Sequence, residues 1–273
     1  MSFGAQRDAW TASPPVLRVF GLPSWVMPLV YLRGLIGTRR TESANRHLAR
    51  ILAFIAGAVN AGGLLAVGQY TSHMSGIISS MADNLSTGSL SLVLGGFGAV
   101  GSFLSGAFVT TLLIRWARAR QLESEYALPL MLESALLVVF GLTGRVFVVG
   151  HAFLDTVMLL CFTMGLQNAI ITKISDAVIR TTHMTGMVTD IGISLGRIVT
   201  TLYRRDGDSL DADYAKLRLH TSLVGLFFAG GFTGALGFKH AGFLFTLPLA
   251  AILLLMAVMP VIDDVRRYRQ TAA

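Results

Sequence analysis

Between Arg50 and Asp83 the chain carries no formal charge, and between Asp83 and Arg115 it again carries none. Val146 to Thr172, Leu219 to Phe238 and Ala241 to Ile262 are further stretches with at most one acidic residue each. A helix needs about 20 apolar residues to cross the hydrocarbon layer of a bilayer, and every one of these stretches is long enough. Charged residues make up 14% of the 273, where a soluble domain has about a quarter. Such a chain is an all-α integral membrane protein, and its main partner is the lipid bilayer.

The +7 net charge raises the question of nucleic acid. The cations fall in clusters between apolar runs, as in cytoplasmic loops, so no nucleic-acid partner is expected. Cys161 is the only cysteine and lies inside an apolar run, which excludes an intrachain disulfide and any paired-cysteine redox or zinc motif. No HExxH motif and no glycine-rich phosphate loop followed by Lys-Ser/Thr occurs, so neither an enzyme nor a cofactor is expected. Residues 1–47 read as a cytoplasmic arm. Their apolar part is broken by Arg18, Pro23, Pro28 and Arg33, which suits an interfacial helix better than a cleaved signal or a full span.

One phrase occurs twice. Thr71-Ser72-His73-Met74-Ser75-Gly76 returns as Thr181-Thr182-His183-Met184-Thr185-Gly186. Upstream, Gly57-Ala58-Val59-Asn60-Ala61 matches Gly165-Leu166-Gln167-Asn168-Ala169. The histidines are 110 positions apart and the asparagines 108, as in a duplicated unit with a small insertion. Residues 48–150 form the first membrane repeat, 151–262 the second, and 263–273 a cytoplasmic tail. The first repeat divides into segments 48–68, 72–87, 90–114 and 127–149, and the second into 152–172, 183–202, 219–238 and 241–262. Gly98, Ser102, Gly106 and Thr110 in one copy, and Gly225, Ala229, Thr233 and Gly237 in the other, recur every fourth residue, with Gly230 and Gly234 beside the second set. Small residues so spaced let helices approach closely in lipid.

The basic residues decide the topology. If segments 72–87 and 183–202 re-enter the membrane rather than cross it, 17 basic residues lie inside and only Arg145 and Lys239 outside. If both segments cross, the division falls to 13 against 6. The positive-inside rule selects the first arrangement. It gives six spanning helices plus two short re-entrant or broken helices, with both termini cytoplasmic. Each repeat crosses three times, so the two repeats have inverted topology, and their re-entrant elements approach from opposite faces towards the midplane.

The candidate solute-binding residues are His73, Ser75 and Asn60 in the first copy and His183, Thr185 and Asn168 in the second. An ionisable side chain at membrane depth is costly and marks function by default; imidazole binds protons and orients ligands. A structural role competes, in which each His caps a re-entrant helix and each Asn bonds to a neighbouring helix. Glu133 and Asp190 are the candidates for proton coupling. Asp190 lies two helical turns after His183, and Arg197 lies two further turns on, able to pair with Asp190 or meet lipid head groups. The Met74 and Met184 neighbours of the histidines suggest a soft metal or haem site only weakly, and no metal ligand is assigned. Asp206, Asp208, Asp211 and Asp213 read as a solvated loop among Arg204, Arg205, Lys216 and Arg218.

These paired motifs, over about residues 48–262, resemble the YoaK-like family of bacterial inner-membrane proteins, which carry a domain of unknown function. Where that family's first motif ends in Asn, this chain has Ile77. The resemblance implies the architecture and the location, and supplies no substrate. The expected function is a transporter or permease for a small solute. The alternatives are a membrane scaffold whose Arg-rich face recruits partners or anionic lipid, and a membrane metal- or haem-binding protein. A homo-oligomer is compatible with either.

Overall fold

The computed structural model describes residues 42–149, 153–175, 181–204 and 210–271. The interfacial helix expected near residues 16–37 lies outside them. The helices are α1 (Glu42–Val67), α2 (Met74–Ser86), α3 (Leu90–Ala119), α4 (Ala127–Val149), α5 (Phe153–Ile174), α6 (Met184–Arg204), α7 (Leu210–Ala241) and α8 (Thr246–Thr271). A 3₁₀ turn, Gly242–Phe245, joins the last two, and no strand occurs among the described residues.

Five segments are long and apolar enough to cross a membrane: Glu42–Val67, Leu90–Ala119, Ala127–Gly144, Phe153–Ile174 and the 61-residue Leu210–Gln270. The last contains both α7 and α8. Gly242 separates them at φ 61, a left-handed conformation that costs glycine little. The outer surface is apolar: Phe97 and Phe108 on α3 and Phe228 and Phe232 on α7 are 61–75% exposed. Large side chains are placed this way where lipid, not water, is the solvent.

Helix pairing crosses between the two repeats. Helix α1 lies along α7, α3 lies along α5, and α4 packs on α8, while α2 rests on α3 and α6 on α7. Four contacts of one kind set the first two pairs. A methyl group added to Gly57 would overlap the carbonyl of Phe227, and one on Gly230 the carbonyl of Phe54. A methyl on Gly165 would overlap the carbonyl of Phe103, and one on Gly106 the carbonyl of Phe162. All four glycines stand three residues after a phenylalanine, in Phe54-x-x-Gly57, Phe103-x-x-Gly106, Phe162-x-x-Gly165 and Phe227-x-x-Gly230. Such backbone-to-backbone approach is how helices bind one another in lipid, where apolar burial gives no drive.

The two sets of contacts are copies. Moving from α1 to α5 adds 108 to each residue number and from α3 to α7 adds 124, which carries Gly57 on Phe227 into Gly165 on Phe103. Thr110 extends the rule: its hydroxyl donates to the Leu166 carbonyl at 3.2 Å, and its counterpart Gly234 lies against the backbone of Ala58. The working positions in the second copy are thus Gly230 and Gly234. Gly225, expected in the packing stripe, faces open space, as does its counterpart Gly101.

The fourth helices form a separate seam. Ser134 donates to the Ala250 carbonyl at 2.8 Å, and Thr246 to the Leu137 carbonyl at 2.9 Å. Phe140, Phe238 and Phe243 close the end of this seam, with Phe140 and Phe243 edge to face at 5.4 Å. At the opposite end Asp264 accepts the backbone N–H groups of Glu123 and Ser124 at 2.8 and 2.9 Å.

Several helices outrun their apolar cores. Helix α1 starts at Glu42, inside the expected arm, and α8 runs to Thr271 through the expected tail. Helix α7 starts at Leu210 rather than near 219, so Asp211 and Asp213 are helical, and Asp213 is buried where a solvated loop was expected. Asp206 and Asp208 lie outside the described residues.

Replacing Gly57 or Gly165 by Ala should lower stability by about 1–3 kcal/mol, because rigid backbone stands where the methyl must go. Gly225→Ala should change it by less than about 0.5 kcal/mol. Unfolding of the purified protein in detergent measures both.

Candidate functional site

A cavity of about 1200 Å³ lies where α1, α3, α5 and α7 meet the starts of α2 and α6. All six residues singled out for solute binding line it: Asn60, His73 and Ser75 from the first copy, and Asn168, His183 and Thr185 from the second. Phe103 and Phe227 face it from α3 and α7, so two of the four residues whose carbonyls receive the glycines also form its wall. The same offsets apply here: Gly57 and Gly165, Ala61 and Ala169, and Ala107 and Gly231 are further lining pairs.

Each asparagine holds the chain that enters the following short helix. Asn60 Oδ1 accepts from the Ser72 hydroxyl at 3.0 Å and from its backbone N–H at 3.3 Å. Asn168 Oδ1 accepts from the Thr182 hydroxyl at 2.7 Å, while its amide donates to the Met164 carbonyl of its own helix at 2.8 Å. Backbone between two helices lies outside the helical hydrogen-bond ladder, which is tolerated at membrane depth only when side chains or a wet cavity cover it. Ser72 and Thr182 are the hydroxyl partners that make this possible.

The histidines sit at the junction itself. His73 precedes α2 and accepts the Ile77 N–H through its carbonyl at 3.1 Å; His183 does the same for Met187 at 3.1 Å. The His73 side chain makes no capping bond to its helix. A methyl on Gly76 would run into the His73 ring, and one on Gly186 into the His183 ring. The glycine three residues after each histidine therefore lets the imidazole fold back over the first helical turn, beside the cavity. Both histidines are exposed, whereas Ile77 and Met187 are buried and anchor the short helices. Thr71 and Thr181, which open the phrase, are fully buried, and their hydroxyl oxygens have no hydrogen-bond partner among the described residues.

The two acids named for proton coupling lie elsewhere. Glu133 is fully buried in α4, and neither carboxylate oxygen has a hydrogen-bond partner among the described residues. Asp190 is on the exposed side of α6, 4.0 Å from His220 Nε2 of α7. Arg197 pairs with Asp213 at 3.7 Å rather than with Asp190. Among the described residues no group of three or more His, Cys, Asp or Glu is placed to hold a metal ion. Met74 and Met184 line the cavity beside their histidines, and Cys161 is packed in an apolar cluster with Val67, Ile77, Ala99 and Val157.

Lys173 and Tyr70 also line the cavity. Lys173 counts among the loop cations in the sequence, and only the fold brings it to the cavity. The aromatic wall was equally hidden, because Phe103 and Phe227 sit in apolar runs that any spanning helix would show.

Residues 48–259 match the family described as protein of unknown function (DUF1275). The chain belongs to this family. The match covers both copies of the motif and ends within α8, so the family unit is the duplicated helical body described above. No curated protein and no solved structure matches the chain.

Removing either half of the Asn168–Thr182 bond should destabilise the protein, and the double variant should cost less than the sum. A cycle of Asn168→Ala and Thr182→Ala, followed by detergent unfolding, should give a coupling of about 0.6–1.7 kcal/mol. A value near zero would remove the asparagine from its bracing role.

Proposed function

We propose that this protein is a transporter or permease for a small solute, and that the solute passes through the cavity between the two His-Met-[Ser/Thr]-Gly motifs. The observation that carries the proposal is the convergence of both copies of the motif on one cavity of about 1200 Å³. Polar side chains at membrane depth are costly, and a bundle that needed only to pack would fill this centre with apolar groups. Two equivalent sets of hydroxyl, amide and imidazole groups facing one space suit a ligand that sheds water to enter and regains it on leaving.

The proposed topology is six crossings in two inverted repeats. Helices α7 and α8 cross separately, since Gly242 breaks their path and they pack on different partners, α1 and α4. Exchange of α1 for α5 and α3 for α7 under constant offsets is what a two-fold axis produces; the division of basic residues is what puts the proposed axis in the membrane plane, where inverted-repeat transporters place their solute sites. The proposed setting is a bacterial inner membrane with cytoplasmic termini, following the excess of Arg and Lys on one side. Glu133 and Asp190 lie off the proposed solute path.

Flux into proteoliposomes tests the reading. Osmotic light scattering with urea, glycerol and formate as probes should show at least one entering faster than into empty liposomes. His73→Phe and His183→Phe, which fill the cavity from opposite copies, should each slow that entry by about tenfold or more, a barrier increase of about 1.4 kcal/mol. Flux equal to that of empty liposomes, or variants as fast as wild type, would contradict the proposal.

A further inference from the structure

The repeats depart from one another at the end of the second re-entrant helix. Helix α2 stops at Ser86, and Gly88 follows at φ 73 in the left-handed region. The equivalent of Gly88 in the second copy is Ile198, which is buried, and α6 continues to Arg204. The added turns of α6 and the first turns of α7 enclose a second cavity, of about 630 Å³. Arg197, Thr201 and Lys216 line it together with Asp213, and Ile193 and Gly196 form its apolar side. Gly196 leaves open space where a side chain would stand.

The first copy does without these charges. At the matching places in the first copy stand Thr87 for Arg197 and Leu92 for Lys216, and α2 still packs on α3 without them. Asp213 is buried and 3.7 Å from Arg197, which fixes one end of the guanidinium and offsets one positive charge. Lys216 is exposed and adds a second positive charge. Val199 and Tyr203, 66% and 90% exposed, continue the outer face of α6 past the cavity. Helix α6 ends at Arg204, and the next residues in the sequence, Arg205 and Asp206, make this stretch too polar for the apolar layer. A cationic cleft between two helices, at the level where the chain exits the membrane and with apolar surface alongside, has the chemistry that holds a phospholipid head group.

We propose that the cleft between α6 and α7 binds the phosphate of an anionic phospholipid, with Arg197 and Lys216 as its cationic contacts and the Ile193–Gly196 groove receiving the start of an acyl chain. This site is separate from the solute cavity and independent of the function proposed for it. Lipid seated there ties the extended end of α6 to α7, whereas the shorter α2 has no such clasp.

The full chain in detergent is titrated with short-chain phosphatidylglycerol, short-chain phosphatidylcholine and inorganic phosphate, and its thermal midpoint is followed. Phosphatidylglycerol should raise the midpoint at lower concentration than phosphatidylcholine. Arg197→Gln and Lys216→Gln should each weaken that response by about fivefold, while Lys239→Gln at the far end of α7 leaves it unchanged. Lys216→Gln leaves the Arg197–Asp213 pair intact, so it tests the site even if Arg197→Gln fails to fold. Two results would overturn the proposal. One is a Lys216→Gln protein that responds to phosphatidylglycerol like wild type. The other is inorganic phosphate matching the lipid at equal concentration, which would make this a free-anion site.

Discussion

A helix in lipid gains nothing by hiding leucines from a solvent that is itself apolar, so cohesion has to come from close contact. In this protein it comes from four glycines laid against four carbonyls, each in a Phe-x-x-Gly step. The contacts join α1 to α7 and α3 to α5, and so tie the first half of the chain to the second rather than closing each half on itself. Everything at the centre of the molecule depends on this exchange. If each repeat folded alone, the two motifs would have no common space to face.

The cavity follows from the same contacts. The phenylalanines that lend their carbonyls, Phe103 and Phe227, also wall the space, and the glycines that meet them, Gly57 and Gly165, line it three residues before the asparagines. Asn60 and Asn168 then hold Ser72 and Thr182, which set where each histidine enters. One helix-packing device thus fixes, within a few residues, the wall, the bracket and the motif. The proposed solute path runs where these parts meet, and the lipid clasp at α6 lies where the second copy has grown past the first.

Much of this was legible in the sequence. Apolar runs located every segment long and apolar enough to cross a membrane, and the one at 127–149, despite Glu133 and Arg145, coincides with α4. The doubled phrase located the starts of α2 and α6, of which only α2 is short, and with the upstream asparagines it located six residues of the cavity. What hydropathy could not register was helix outside lipid: Asp211 to Arg218 are too polar for the bilayer, yet they continue α7, because Asp213 finds Arg197 across the cleft. The small-residue spacing was visible but ambiguous in phase. Gly225 and Gly237 repeat as well as Gly230 and Gly234 do, and only the position of α1 shows that the second pair meets backbone. The role of Gly76 and Gly186 was also out of reach, since it depends on where an imidazole ring folds.

The central claim is that two copies of one unit enter the membrane from opposite sides and meet at a shared cavity. Sidedness of the two short helices tests this most directly. In a Cys161→Ser background, Ser86→Cys at the end of α2 and Tyr203→Cys at the end of α6 are exposed to a membrane-impermeant maleimide, in sealed right-side-out vesicles and in inverted ones. Labelling of Ser86→Cys only from outside and of Tyr203→Cys only from inside is the predicted result. Labelling of both from the same face would contradict the account.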